Sequence, residues 1–162
     1  MKQNVTVRHA QSDDVAAIVQ TLRGSITQLC DADHEGDESR LTQWLSNKTP
    51  ENVRAWLASP DVTILVGCLG PDVAGVAAFT AKGHITLNYV SPDFRFSGVS
   101  SALLARIESD FAAQGLGECY LTSTRTAHEF YRSRGYVDVV GDESGGIEMK
   151  KTLSRHPTET GP

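Results

Sequence analysis

Three short runs in the middle of the chain constrain its fold more than any other feature of its 162 residues. Val62 to Cys68, Val73 to Thr80 and His84 to Val90 are rich in β-branched residues and are separated only by short stretches containing Gly-Pro-Asp and Ala-Lys-Gly. Links this short join antiparallel neighbours, because a parallel pair needs a crossover of roughly a dozen residues or more. A three-strand antiparallel meander is therefore predicted. Its last strand leads through a brief loop into a firm helical stripe, Val99, Leu103, Ile107 and Phe111 with Ala102 and Leu104 beside them, that ends at Gly115 and Gly117.

The flanks add alternating elements. Val5, Val7 and His9 follow strand periodicity, and Ser12-Asp13-Asp14 then supplies a cap and two acids where a helix begins. Val15, Ile18, Val19, Leu22, Ile26 and Leu29 form the buried stripe of that helix, with Gly24 weakening its middle. The acidic stretch from Asp31 to Glu38 reads as a loop before a helical turn carrying Leu41, Trp44 and Leu45. Thr49-Pro50-Glu51 starts another short helix, since Thr caps well and Pro is tolerated at the first helical position; Val53, Trp56 and Leu57 form its inner face. After the long helix come a strand from Cys119 to Thr122, a helix from Thr126 to Arg134 closed by Gly135, and strands from Tyr136 to Val140 and Gly146 to Thr152 around an Asp-Glu-Ser-Gly-Gly turn. A single domain over residues 1–153 is expected, with Ser154 to Pro162 a frayed polar tail.

Charge and cysteine usage narrow the function. Lys plus Arg is 15 against 20 for Asp plus Glu, a net charge of -5, so no global basic field draws nucleic acid or anionic lipid and any anion must be held locally. No apolar run approaches the roughly 20 residues that cross a bilayer, and the first residues lack a signal-peptide core, so a cytoplasmic, unprocessed protein is expected. Cys30, Cys68 and Cys119 are widely spaced and form no Cys-x-x-Cys pair, against both a disulfide framework and a metal site.

The stretch from Tyr89 to Leu104 carries the chemistry. The first N–H groups of a helix lack intrahelical partners and sit at the positive end of its dipole, so a phosphate docks there. Gly98 admits close approach of the backbone, Ser97, Ser100 and Ser101 add hydroxyls, and Arg95 adds a charge. Spacing alone leaves two readings open: a diphosphate site, or an ordinary strand-to-helix connection with a capping serine.

The same residues resemble the signature of the GNAT superfamily of acetyl-CoA-dependent N-acetyltransferases. That signature is a strand ending Val-x-Pro, then Arg or Gln-x-x-Gly-x-Gly or Ala, then a helix opening Leu-Leu, and Val90, Pro92, Arg95, Gly98, Ser100, Leu103 and Leu104 fall on it. A second run, Ala127-His128-Glu129-Phe130-Tyr131-Arg132-Ser133-Arg134-Gly135-Tyr136, is similar to the family's Ala-x-x-Phe-Tyr-x-x-x-Gly-Phe. The resemblance spans nearly the whole chain and implies an α/β (α+β) fold with a mixed, mostly antiparallel central sheet flanked by helices. It implies acetyl-CoA as cosubstrate, no metal, and an amine-bearing small molecule or peptide as acceptor, with a homodimer allowed and neither nucleic acid nor membrane as partner. Cofactor contacts then fall on Tyr89, Val90, Arg95, Phe96, Ser97, Gly98, Val99, Ser100, Ser101, Thr124 and Tyr131. Ser100 stands where Gly or Ala is usual, Phe96 where Gly or a basic residue is common, and Thr124 where many relatives carry Asn.

By the same resemblance Tyr131 is the general acid that protonates the thiolate leaving group, its ordinary pKa of about 10 keeping the phenol protonated at neutral pH. The base has several candidates: His84, Thr86 and Asn88 on the third meander strand, His34 and Glu35 in the acidic loop, or a water path. The acidic loop either steers a cationic amine or is solvated surface, and Trp44 and Trp56 are expected in the core, or one of them along the acceptor pocket. The rival to catalysis is an acyl-CoA-binding or protein-interaction module on the same scaffold. A Rossmann dinucleotide site is disfavoured because no Gly-x-Gly-x-x-Gly follows the first strand.

Overall fold

A computed structural model describes residues 4–139 and 146–153. Strand β1 (Val5–His9) leads through a 3-10 turn into helix α1 (Val15–Leu29), followed by the short helices α2 (Asp31–His34), α3 (Glu38–Leu45) and α4 (Pro50–Ala58). The meander is β2 (Val62–Leu69), β3 (Asp72–Thr80) and β4 (His84–Val90). Then come the long helix α5 (Val99–Ala113), β5 (Glu118–Ser123), α6 (His128–Ser133), β6 (Val137–Asp138) and β7 (Ile147–Thr152). The seven strands form one sheet in the order β1-β2-β3-β4-β5-β7-β6, antiparallel except where β4 meets β5. The expected mixed, mostly antiparallel architecture is thus present. The turn after β6 and the polar tail fall largely or wholly outside the described residues.

Local chemistry accounts for the elements. The Thr49 hydroxyl accepts from Asn52 N–H at 3.2 Å with Pro50 at the first helical position of α4. At the start of the chain, the Arg8 guanidinium holds Asp14 with two hydrogen bonds of 2.8 and 2.9 Å, and Asp14 accepts Gln11 N–H at 2.8 Å, tying β1 to the entry of α1. That hydrogen bonding outweighs burial and holds the Asp14 carboxyl below the usual carboxylate range. The acidic stretch opens as helix α2 rather than loop, and Asp37 caps α3 by accepting from Ser39 and Arg40 N–H.

Two apolar layers sandwich the sheet. One face packs Leu103, Leu104, Ile107 and Phe111 of α5 with Leu65, Ala77, Leu121 and Tyr136; the other packs Ile18 and Leu22 of α1 and Val53 of α4 with Val66 and Val76. Helix α5 lies close on the sheet because Gly67 and Gly75 present no side chain to it. A Cβ on Gly75 would sit 2.5 Å from a methyl of Val99 and 3.1 Å from both Leu103 Cδ1 and Tyr89 O. Gly75→Ala is therefore expected to destabilise by about 1–3 kcal/mol through overpacking, read as a lower Tm and a lower urea midpoint. An unchanged midpoint would mean that α5 is free to shift outward.

What positions the site is the divergence of β4 from β5. These strands pair only at His84↔Tyr120 and Ile85↔Leu121. Opposite β3, Ile85 pairs with Phe79 but Leu87 pairs with Ala78, so β4 carries one extra residue, Thr86, as a bulge. Beyond it β4 stays on β3 and leaves β5, which opens a wedge between the parallel strands.

Candidate active site

The wedge forms the mouth of a cavity of about 520 Å³ that runs from the start of α5 to α1 and α6. Along β4 the backbone alternates in direction. Ser91 N–H donates to Ala74 O of β3 at 2.7 Å, so the N–H groups of Val90 and Asn88 turn the other way, toward the wedge. The edge from Thr86 to Val90 is not paired by β5, and its main-chain groups face the cavity.

At one end of the cavity the chain turns into α5 through Gly98, whose φ of +80° is the left-handed conformation that glycine adopts without strain. No side chain caps this helix; Ala102 N–H closes the first turn on Gly98 O at 3.0 Å, and the earlier amides have no helical acceptor. Of the two readings left open by the spacing, an ordinary connection with a capping serine is not what the N-cap shows, and the loop has the form of an anion site. Arg95 stacks 4.7 Å from the ring of Phe96, which is 91% exposed and holds a positive φ of 64°. A second cation comes from Arg134, whose guanidinium lies 4.2 Å over the Phe130 ring and donates to the Ser101 hydroxyl.

The predicted contact residues divide by what they present. Arg95, Phe96, Ser97, Gly98, Ser100 and Ser101 line the cavity at the α5 end. Val99 also borders it, but its side chain is core, packed over Gly67 and Gly75, which leaves its main chain for the cavity. Tyr89 and Val90 point to opposite faces of β4. Val90 packs with the α5 layer, while Tyr89 packs with the α1 layer and has its hydroxyl within electrostatic reach of Cys30, Trp44, Tyr131 and Asp33. Burial pushes the Tyr89 phenol well above its usual range. Thr124 lines the cavity with its hydroxyl already accepting Ala127 N–H at 3.1 Å, which caps the turn into α6.

Tyr131 lies in the same cavity, 6% exposed, with edge-on aromatic contacts to Phe130 and Tyr136. Burial pushes its phenol up to about 12, opposed by the Asn88 amide nearby, so it is a proton donor throughout the neutral range.

None of the acidic or imidazole candidates for the base lines the cavity. His84 is exposed at the outer end of β4. The ring of buried His34 sits against Gly36 N–H at Nδ1 (3.1 Å) and Thr27 O at Nε2 (3.3 Å). The ring is thus held between a main-chain amide and a main-chain carbonyl, away from the cavity. Glu35 pairs with Arg125 at 3.3 Å and Arg40 at 3.9 Å. Asp33 accepts from Arg125 N–H at 2.6 Å, Thr126 N–H at 3.2 Å and the Thr126 hydroxyl at 2.7 Å. Asp33 and Glu35 of the acidic segment are therefore engaged by the chain itself, while Glu35, Asp37 and Glu38 remain exposed. Asp33 and Glu35 tie α2 and the turn after it to the loop between β5 and α6.

The model of the acetyltransferase (GNAT) domain matches residues 30–151, most of the chain. The chain belongs to the GNAT family of acetyltransferases. Over 54 residues it is 44% identical to an amino-acid acetyltransferase of Ectopseudomonas mendocina, and over another 54-residue match 41% identical to one of Pseudomonas fluorescens. Each match covers 33% of this chain and 12% of the relative, so the chain spans a small part of those proteins. Among solved structures, a GCN5-related N-acetyltransferase from Rhodopseudomonas palustris superposes with a TM-score of 0.82 at 24% identity, covering 94% of this chain and 99% of that one. The PaiA N-acetyltransferase of Thermoplasma acidophilum, solved with coenzyme A, gives 0.79 at 17% identity over 92% and 99%.

Proposed function

We propose that this chain transfers the acetyl group of acetyl-CoA directly to a primary amine within the wedge between β4 and β5. The observation that carries the reading is one cavity with an uncapped helix N-terminus over Gly98 at one end and the buried phenol of Tyr131 along its wall. The amides opening α5 would hold the diphosphate of the CoA moiety, with Arg95 and Arg134 balancing its charge. The unpaired edge of β4 would bind the pantetheine arm as an added strand binds a sheet edge. Val90 N–H would then donate to the thioester oxygen and stabilise the charge that develops there.

The residues orient the reactants and manage two protons. As the amine nitrogen forms its bond to the acetyl carbon and the carbon–sulfur bond breaks, Tyr131 gives its proton to the departing sulfur and regains one from solvent. The proton lost by the amine leaves through water, since no carboxylate or imidazole among the described residues lines the cavity. Likeness to amino-acid acetyltransferases puts amino acids first among acceptors to try. The test is incubation with acetyl-CoA and a panel of amino acids, polyamines and peptides, read by mass spectrometry. An acetylated amine is the expected product. CoA binding without turnover on any amine would favour a non-catalytic acyl-CoA-binding module, which the lack of an acidic or imidazole base in the cavity also fits.

A further inference from the structure

Asn88 stands out among the polar groups of the wedge. Both of its side-chain atoms, Oδ1 and Nδ2, are buried, and neither has a hydrogen-bond partner in the structure. Leaving such an amide unsatisfied forfeits its hydration with nothing in return, so a buried orphan in a well-packed domain asks for an explanation. Its location supplies one. Past the Thr86 bulge, Leu87 and Tyr89 face the α1 layer, while Val90 faces the α5 layer. Alternation puts Asn88 on the α5 side of β4, the side on which Tyr131 packs, and both residues line the one cavity. The amide is within electrostatic reach of the phenol without forming a hydrogen bond of normal geometry to it.

We propose that Asn88 is a positioning residue for acetyl transfer: its side-chain N–H donates to the phenol oxygen of Tyr131 during reaction and turns the phenol proton toward the thioester sulfur. This rests on the reading of Tyr131 as the proton donor. A neutral phenol carries one O–H and must choose where to aim it. An N–H presented to its oxygen occupies a lone pair and leaves the O–H for the sulfur. The same donation stabilises the phenolate that forms as the proton departs, and it is stronger then than in the resting state, which is the condition for it to accelerate the step. The other groups near the phenol do not duplicate this. Tyr136 is bound to Glu108 at 2.8 Å and Cys119 at 3.1 Å, with Lys151 on Glu108. Arg134 is stacked on Phe130 and bound to Ser101 and Ser133, while Tyr89, which lines the same cavity and lies within electrostatic reach of Tyr131, is a phenol near Trp44 and offers no amide donor.

The test is a double-mutant cycle on the full chain with Asn88→Leu, Tyr131→Phe and the pair. Leu keeps the four heavy atoms and the Cγ branch of Asn, is somewhat bulkier, and removes two orphan polar atoms, so the folded state should be about as stable as wild type. Turnover of Asn88→Leu should nevertheless fall about ten- to a hundredfold, the range of one hydrogen bond to a developing charge, with KM for acetyl-CoA little changed. The paired variant should be no slower than Tyr131→Phe alone, because each mutation removes the same donation. A fluorotyrosine placed at 131 and followed by ¹⁹F NMR should titrate at higher pH in the Leu background. Wild-type turnover in Asn88→Leu, or effects that add in the pair, overturns the proposal while leaving Tyr131 in its role. Wild-type turnover in Tyr131→Phe instead removes the proton-donor reading, and the Asn88 assignment falls with it.

Discussion

Tyr131→Phe is expected to lower turnover about 10²–10⁴-fold while leaving the affinity for acetyl-CoA nearly unchanged, the range typical of a positioned acid. The substitution removes one hydroxyl and keeps the ring, so the edge-on contacts to Phe130 and Tyr136, with centroids 5.2 and 5.5 Å apart, survive. The phenol is held near 12 by burial against the opposing Asn88 amide, and this sets the sign of the pH effect. A group that must be protonated and titrates that high imposes no alkaline limb between neutrality and about pH 11. Steady-state rates, with calorimetric CoA binding as the control, check both parts. An alkaline limb below pH 9 that disappears in Tyr131→Phe would show that the phenol titrates far lower than its burial implies.

Gly98→Asp is expected to weaken CoA binding by tenfold or more without unfolding the domain. A Cβ at this position meets nothing within 4 Å, so bulk is not the obstacle. The φ of +80° disfavours most side chains, yet Asp and Asn are among the few L residues that visit this region. What Asp adds is a negative charge beside the amides proposed to hold a diphosphate, and like charges brought together cost several kcal/mol. Gly98→Asn has the same shape and no charge, which makes it the control. Calorimetry should rank wild type above Asn and Asn well above Asp, with the gap narrowing as salt rises. Equal affinities for the two variants would place the diphosphate elsewhere.

Much of this site was legible in the residues because its signals are local. The loop before α5 announces itself through Gly98, its serines and the stripe that follows, and Phe130-Tyr131 sits in a recognisable run. The cap formed by Thr49 and Pro50 could likewise be read within a few positions of chain. The remaining features depend on distant partners or on small irregularities. Asp33 finds Arg125 and Thr126 only because α2 folds over the β5–α6 loop, and nothing in an acidic run marks which carboxylate will latch. Arg134 reaches Ser101 across the entire β5–α6 unit.

Periodicity alone carries two further features. Tyr89 and Val90 are consecutive in a strand, so their side chains must face opposite layers and cannot both reach one ligand pocket from the same side. Val99 begins the apolar stripe of α5, which already marks its side chain as core. Asn88 was hidden for another reason. Its face depends on the Thr86 bulge, which inverts the alternation counted from His84, and its burial depends on where α6 comes to rest.

The most direct test of the central claim is a single turnover, with the protein in excess over acetyl-CoA, followed by rapid-quench detection of free thiol with and without an amine that the mass-spectrometric panel has identified. Direct transfer predicts thiol release in one phase only when the amine is present, with no acetyl group retained on the protein. A burst of thiol before amine is added, with acetyl found on the chain, would contradict the account.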